Sequence, residues 1–335
     1  MRRSIAFGVI LLFVAAPLCA WTEVPLRPVA TYSIVARDSL TGELGVAVQS
    51  HWFSVGPIVP WAEAGVGAVA TQSLAEPAYG PLGLEIMRLG RTASEALEAL
   101  VSTDSDKAVR QVAMIDADGD VAAHTGSRAI YAAGHRVGRQ YSVQANLMEK
   151  PTVWDAMALA YETTEGDLAE RLLVALEAAE KEGGDIRGRQ SAAILIVSAE
   201  STGKTWVDRK FDLRVEDHPT PVAELRRLVQ LQRAYLKLNE GDEWMAKDDP
   251  SKAMEAYVEA TTIVPDQATN GEAPFWVGIT LVDSGRIDEA VPFLIRAYAQ
   301  DQRWAEVVPR LPASGFLPED EELIRTVVDA MEKNP

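Results

Sequence analysis

Residues 31–199 alternate between strand-like and helical stretches in one order, and this order limits the folds open to the chain. Seven apolar runs have the character of strands, namely residues 32–37, 45–49, 66–72, 111–115, 121–125, 141–144 and 192–198. Four stretches are helical in pattern, namely residues 81–89, 93–102, 152–162 and 168–181. The order is strands, two helices, strands, two helices and a strand. This order favours segregated sheets with helices outside them. We therefore predict an α+β domain over residues 31–220.

The first twenty residues have the pattern of a secretory signal peptide. Arg2 and Arg3 precede an apolar run, and Ala20 offers a small residue at the cleavage site. Lipid attachment at Cys19 is the alternative, but the bulky Leu18 before it disfavours that route. We expect cleavage after Ala20, a spacer over residues 21–30, and export to the periplasm or the extracellular space. The mature chain would then contain no cysteine, which excludes disulfides, thiol catalysis and cysteine metal sites.

The charge of the chain limits its partners. Its 335 residues are enough for two domains, and loss of the leader would change the net charge from −17 to −19. Such an acidic surface is repelled by phosphate backbones and anionic membranes, so we expect no nucleic-acid partner. The apolar run of the leader is too short for a stable span, so we expect no membrane span.

A second, helical domain is predicted over residues 221–335. Pro221 opens a helix that we expect to run to about Leu238. Residues 253–260 and 290–297 share an Ala, bulky, Ala spacing at an offset of 37 residues. This pattern resembles the tetratricopeptide repeat, whose period is 34, over about two repeats. We expect this tail to pack on the first domain, and residues 240–335 are a candidate surface for a protein partner.

Residues 116–120, Asp-Ala-Asp-Gly-Asp, look at first like a calcium loop. The glycine and the acids are out of register with an EF-hand, and Ser127 stands where a bidentate glutamate is required. An Asp-Gly hairpin turn between the strands at 111–115 and 121–125 is the better interpretation. The four histidines are dispersed, so we expect no metal and no cofactor.

Polar side chains end several otherwise apolar strands. The candidate residues are Ser50 and His51 after the second strand, Gln72 after the third, Asn146 after the sixth, and Arg189 before the last. If these ends converge, they form a polar pocket at the rim of a sheet that can hold an amide or carboxylate substrate.

Several stretches in order resemble the DUF1028 family over about residues 31–235. They are Thr31-Tyr-Ser-Ile-Val-Ala-Arg-Asp38, Gly45-Val-Ala-Val-Gln-Ser50, Ala64-Gly-Val-Gly-Ala-Val-Ala-Thr-Gln72, Pro77-Ala-Tyr-Gly-Pro81, Val143-Gln-Ala-Asn146, Gly184-Asp-Ile-Arg-Gly-Arg-Gln-Ser191 and Leu213-Arg-Val-Glu-Asp-His-Pro219. That family is grouped with the N-terminal nucleophile (Ntn) hydrolases. The resemblance implies a four-layer αββα sandwich in which two antiparallel sheets are covered by helices on both outer faces.

The same resemblance implies a function. It makes Thr31 the candidate nucleophile of a secreted amidohydrolase that works through a threonine acyl-enzyme, with its own α-amine as base. Backbone N–H groups near Gly65 or Gly67, or the side chains of Gln72 or Asn146, would hold the oxyanion. His51 and Arg189 would position a carboxylate or polar group of an unknown amide substrate, and hydrolases of this fold often assemble into oligomers.

Two other interpretations stay open. Residues 21–30 would block the nitrogen of Thr31 unless a second cut frees it, so the sandwich can instead be a non-catalytic scaffold whose tail recruits a partner. A different hydrolase that uses an internal serine or histidine is the third alternative.

Overall fold

Two antiparallel β-sheets organise the first part of the chain in the structure, a computed structural model that describes residues 31–333. The predicted signal peptide and spacer lie outside the described residues. The six-stranded sheet has the order β10-β9-β2-β1-β8-β7 and the four-stranded sheet the order β3-β4-β5-β6. The strands are β1 (Thr31–Arg37), β2 (Leu44–Ser50), β3 (Pro60–Glu63), β4 (Gly67–Ser73), β5 (Arg110–Asp116), β6 (Val121–Thr125), β7 (Gly134–Gly138), β8 (Tyr141–Ala145), β9 (Ser191–Val197) and β10 (Arg209–Val215).

The two sheets pack on each other and bury both faces of their central strands. In β1, Val35 packs between the sheets with Val46, Ala68 and Ile115. Its neighbour Ile34 points the other way, because successive side chains of a strand alternate between faces. Both faces are buried, which explains why these strands read as nearly continuous apolar runs.

Helices cover the outer face of each sheet. Helices α1 (Tyr79–Arg88) and α2 (Ala93–Thr103) pack on the four-stranded sheet. Helices α3 (Val153–Thr163) and α4 (Leu168–Glu182) pack on the six-stranded sheet, and the short α5 (Thr205–Asp208) precedes β10. The predicted class, mixed α+β with two antiparallel sheets and a helical C-terminal region, is confirmed.

All seven predicted strands and all four predicted helices of this part are present, with the strand ends within one residue. The hairpin at residues 116–120 is confirmed as well, since β5 pairs with β6 and Asp116 Oδ1 accepts backbone hydrogen bonds from Asp118, Gly119 and Asp120. The strands β3, β7 and β10 were not predicted. The strand β10 lies at an edge of its sheet, and its charged side chains mask the strand pattern.

The C-terminal region consists of helices α6 (Pro221–Ala246), α7 (Pro250–Ile263), α8 (Glu272–Asp283), α9 (Ile287–Gln300), α10 (Trp304–Val307) and α11 (Glu321–Glu332). Helix α6 joins it to the sheets, because Val222 and Val229 lie in the core beneath the six-stranded sheet and Leu238 lies in a separate helical core. The predicted end of α6 near Leu238 is wrong. The helix continues through the polar sequence after it because Gly241 is buried against α7. None of the helices within residues 31–333 is long and apolar enough to cross a membrane.

A close contact recurs in this helical region at the offset of 37 residues. In the α6–α7 pair, a Cβ at Gly241 would overlap the ring of Tyr257. In the α8–α9 pair, a Cβ at Gly278 would lie 2.6 Å from Leu294 Cδ2. Each glycine lets a large side chain 16 residues later pack against the helix backbone, so the sequence repeat corresponds to a repeated packing contact.

This contact gives a prediction of unusual sign. A Gly→Ala change inside a helix ordinarily stabilises by about 1 kcal/mol, but Gly241→Ala places a methyl group inside the Tyr257 ring. We expect it to lower the free energy of unfolding by about 1–3 kcal/mol, as overpacking does. Asn239→Ala, an exposed site on the same helix, is the control and should be neutral or slightly stabilising. The free energies of unfolding of both variants are measured by chemical denaturation. A Gly241→Ala protein more stable than the wild type would contradict the close contact between Gly241 and Tyr257.

Candidate functional site

Five strands end at the same edge of the sandwich. Thr31 opens β1 and pairs in the ladder with Ser50, the last residue of β2, which in turn pairs with Ser191 at the start of β9. Gln72 near the end of β4 and Asn146 after β8 both contact Thr31. Four predicted site residues, Thr31, Ser50, Gln72 and Asn146, therefore lie together.

Thr31 is fully buried and held at both its hydroxyl and its carbonyl. Its Oγ1 donates to Ser50 Oγ at 3.1 Å. Its carbonyl oxygen accepts from the backbone N–H of Asn146 at 3.0 Å, from Gln72 Nε2 at 3.2 Å and from Asn146 Nδ2 at 3.4 Å. Three donors on one carbonyl fix the first residue of β1, and its hydroxyl faces the space between the sheets.

Gln111 of β5 lies behind these donors. Its Oε1 accepts from Gln72 Nε2 at 2.8 Å and from Asn146 Nδ2 at 3.0 Å. Its Nε2 donates to Thr125 Oγ1 and to the carbonyl of Ala145, both at 2.9 Å. Gln111 is fully buried and ties the two sheets together at the site. Sequence reasoning missed it, although a glutamine that begins the apolar run 111–115 carries the same signal as the polar strand ends that were singled out.

A second group of buried polar side chains continues this network along β1. Ser33 Oγ donates to Gln72 Oε1 at 2.6 Å and accepts from Gln144 Nε2 at 2.6 Å. Ser142 Oγ donates to Gln144 Oε1 at 3.0 Å. Buried polar groups that satisfy one another in this way are strong and rigid, because the surrounding dielectric is low.

The loop between α4 and β9 forms the rim of the site. The Asp185 carboxylate, whose side chain is fully buried, accepts from the His51 backbone N–H at 3.1 Å and from Arg187 Nη2 at 2.8 Å. His51 is exposed, and Arg189 is about half exposed with its Nε 3.5 Å from Glu180 Oε1. The predicted residues His51 and Arg189 thus lie on the rim and not in the buried network. Asp185, which orders this rim, was missed, although the motif 184–191 contains it.

The candidate oxyanion donors at Gly65 and Gly67 do not lie near Thr31. Gly67 begins β4 and Gln72 lies five residues further along, so at about 3.3 Å per residue the two are roughly 16 Å apart. A Cβ at Gly65 would lie near Ser201 and Ala199, beyond the end of β9 that is opposite to Ser191. Both glycines therefore lie at the far edge of the sandwich from Thr31.

The buried network reaches the surface at His135. Thr125 Oγ1 accepts from Gln111 and lies 2.8 Å from His135 Nδ1, so its proton is available to a neutral imidazole. Burial and, second, the neighbouring His124 lower the pKa of His135. No three His, Asp, Glu or Cys residues within 31–333 come together as a metal site.

This lowered pKa has a consequence for stability. The unfolded chain binds the proton of His135 better than the folded chain does. The contribution is therefore fully present above the ordinary pKa of about 6.5 and is lost as the pH falls from about 7 toward 5. We expect His135→Gln to reduce this decline in Tm, measured from pH 8 to 5 at constant ionic strength. An unchanged slope in the variant would contradict the assignment.

Comparisons with known proteins agree on one family. The model of the family described as "Family of unknown function (DUF1028)" matches residues 31–225. Among solved structures, the crystal structure of protein SPO2555 from Silicibacter pomeroyi, also described as a DUF1028 protein, is similar with a TM-score of 0.55 and 31% identity. The similarity covers 60% of this chain and 85% of that chain. No curated protein matches the sequence.

Proposed function

The chain belongs to the DUF1028 family, and from this premise we propose that it is an amidohydrolase of the N-terminal nucleophile type with Thr31 as its nucleophile. The observation that carries the proposal is the position of Thr31. It lies in an inner strand at the edge where β2 ends and β9 begins, between two packed, helix-covered sheets, and its hydroxyl faces the space between them. The proposal is supported by the layering, because two packed antiparallel sheets with helices on both outer faces are what such a hydrolase requires.

The proposed chemistry follows from a free α-amine on Thr31. The amine takes the hydroxyl proton while Oγ1 attacks the carbonyl carbon of the substrate amide. The amine then returns the proton to the departing nitrogen, which leaves as an amine and leaves an ester on Thr31. Water, activated by the same α-amine, hydrolyses this ester and restores the hydroxyl.

The hydrogen bonds around Thr31 suggest which neighbours position it and which lies closest to its reacting atom. The amide N–H groups of Gln72 and Asn146 already donate to the Thr31 carbonyl and to Gln111. We assign these two residues to positioning Thr31 and not to holding the oxyanion. The Ser50 hydroxyl, 3.1 Å from Thr31 Oγ1, is the polar group closest to the reacting atom among these assignments.

The residues at the rim suggest which class of substrate the site would bind. Arg189 is about half exposed beside His51 in a chain whose net charge is −17. Arg189 is paired with Glu180 but stays about half exposed, so together with His51 it would position a carboxylate or another polar group of the amide substrate. The predicted leader would deliver the enzyme to the periplasm or the extracellular space, where it would meet such amides.

The experiment that tests the proposal is to determine the N-terminus of the mature protein. Protein recovered from the envelope of its native host is examined by intact mass and N-terminal sequencing. A chain that begins at Thr31 has the required α-amine, and we expect this species. A chain that begins only at Trp21 lacks that base, and this result would remove Thr31 catalysis.

One observation favours a second candidate, a non-catalytic envelope protein that binds a partner through its helical tail. The repeated contacts of Gly241 with Tyr257 and of Gly278 with Leu294 support a tandem array of helix pairs that resembles the tetratricopeptide repeat. Such arrays commonly present binding surfaces. This candidate requires only the folded tail, so it gains support if the mature chain begins before Thr31.

A further inference from the structure

Four buried polar atoms on the helix-facing side of β1 and β2 have no hydrogen-bond partner. They are Tyr32 Oη, both amide atoms of Gln49, and Glu180 Oε1. Tyr32 and Gln49 are each fully buried. Glu180 Oε1 makes no hydrogen bond but lies 3.5 Å from Arg189 Nε, within ion-pair distance. Leaving a buried donor or acceptor unpaired is costly, so the Tyr32 hydroxyl and the Gln49 amide are expected to have a partner that the protein itself does not supply.

The three side chains share one place. Tyr32 and Gln49 are directly opposite in the ladder, which puts them side by side on one face of the sheet. A Cβ at Gly184 would lie 3.5 Å from Tyr32 Cε1 and 3.6 Å from Glu180 Cα, so the Tyr32 ring lies beside the end of α4. Burial and, second, the charge of Glu180 raise the pKa of Tyr32, consistent with this proximity.

We infer that Tyr32, Gln49 and Glu180 form a subsite for a primary carboxamide group of the ligand. A carboxamide has two N–H donors and a carbonyl acceptor in one plane, and it can pair with both amide atoms of Gln49 at once. Its second N–H then meets Glu180 Oε1, and the second lone pair of its carbonyl accepts from Tyr32 Oη. A single water molecule cannot align with both amide atoms of Gln49 and with the other two groups equally well.

The subsite adjoins the proposed nucleophile. Tyr32 follows Thr31, and Gln49 precedes Ser50, so the cluster is one residue inside the edge where Thr31 lies. Because successive side chains alternate, it lies on the helix-facing side of the sheet, and a ligand that also meets the Thr31 hydroxyl would pass around this edge. The covering loop has left-handed glycines at Gly183, Gly184 and Gly188, and Arg189 above Glu180 is about half exposed. The assignment of this subsite to the side chain of a substrate, of the glutamine type, rests on the proposed function.

Ligand discrimination tests the subsite without requiring turnover. The full chain carrying Thr31→Ala is titrated by calorimetry with N-acetyl-L-glutamine, N-acetyl-L-glutamate and N-acetyl-L-norvaline. We expect the glutamine derivative to bind at least about tenfold tighter than the other two, since a polar site rejects analogues that leave its groups unpaired. Equal affinities, or no binding by any of the three, would mean that only ordered water occupies the cluster and would overturn the inference.

Further substitutions test whether these residues cause the preference for the glutamine derivative. Adding Gln49→Leu should abolish the preference and raise the Tm of the ligand-free protein, because the unpaired amide atoms are removed. Tyr32→Phe keeps the packed ring and should weaken the preference less. Gln302→Leu, at an exposed site, should leave the preference intact. A preference that survives Gln49→Leu would overturn the assignment.

Failure of the proposed function gives a different result. Selective binding by the Thr31→Ala chain, together with no amide hydrolysis by the unsubstituted chain that begins at Thr31, would refute catalysis and leave the carboxamide site in place. Hydrolysis of amides with no preference among the three side chains would refute the subsite and leave the nucleophile in place.

Discussion

Replacing Thr31 with alanine should reduce kcat for amide hydrolysis at least about 10³-fold in protein whose chain begins at residue 31, because removal of a nucleophile eliminates the covalent route. The substitution also removes the hydrogen bond from Thr31 Oγ1 to Ser50 Oγ. One such bond contributes about 1 kcal/mol, so the variant should fold. The measurement is turnover of a library of amides by the mature wild-type and variant proteins, together with their unfolding curves.

Two controls make this result specific. Thr31→Ser keeps a hydroxyl nucleophile at the same position of the strand and should retain measurable turnover, whereas the alanine variant should not. Protein that keeps the residues before Thr31 should be inactive with an intact threonine, since its nitrogen is an amide and not a base. Full turnover by Thr31→Ala would refute the nucleophile, and turnover by the unprocessed chain would require a different base.

The central strands could be predicted from the sequence because their surroundings are uniform. Both faces of β1, β2 and β9 are buried, so apolar residues occupy nearly every position and the runs are easy to recognise. The strands that were missed are short or lie at edges. In β10 only Phe211 and Val215 are buried, and charged side chains between them hide the alternation.

The site was predictable in its location and less so in its organisation. Polar residues in apolar strands stand out because burying them requires partners, and this signal gave Ser50, Gln72 and Asn146. It did not show that Gln72 and Asn146 would both turn toward the Thr31 carbonyl, since this depends on how the two sheets align. Asp185 was missed for a similar reason, because its partners His51 and Arg187 meet it only after the loop has folded.

In the helical extension, the internal organisation was easier to predict than the junction with the first domain. The two copies of the repeat, 37 residues apart, were visible in the sequence. That helix α6 contributes to two hydrophobic cores was not. A helix that contributes Val229 to one core and Leu238 to another needs apolar residues on faces that differ along its length. Its amphipathic pattern weakens accordingly after Leu238, which is why the predicted end came too early.

Replacing Gln111 with leucine is expected to have the largest effect on stability of any single change in the site. The substitution removes the acceptor of Gln72 and Asn146 and the donor to Thr125 and Ala145. Leucine is not smaller than glutamine, so no cavity forms and the cost comes mainly from unpaired buried groups. We expect the free energy of unfolding to fall by about 2–4 kcal/mol, measured by chemical denaturation.

The same variant separates a positioning role from a purely structural one. If Gln111 holds the donors that fix Thr31, mature Gln111→Leu protein that is still folded should lose kcat with little change in KM, because the rim residues His51 and Arg189 are held by Asp185 and Glu180. The exposed change Gln302→Leu should alter neither stability nor turnover. A destabilised Gln111→Leu protein with unchanged kcat would limit Gln111 to joining the two sheets, and unchanged stability would mean that the network does not hold them together.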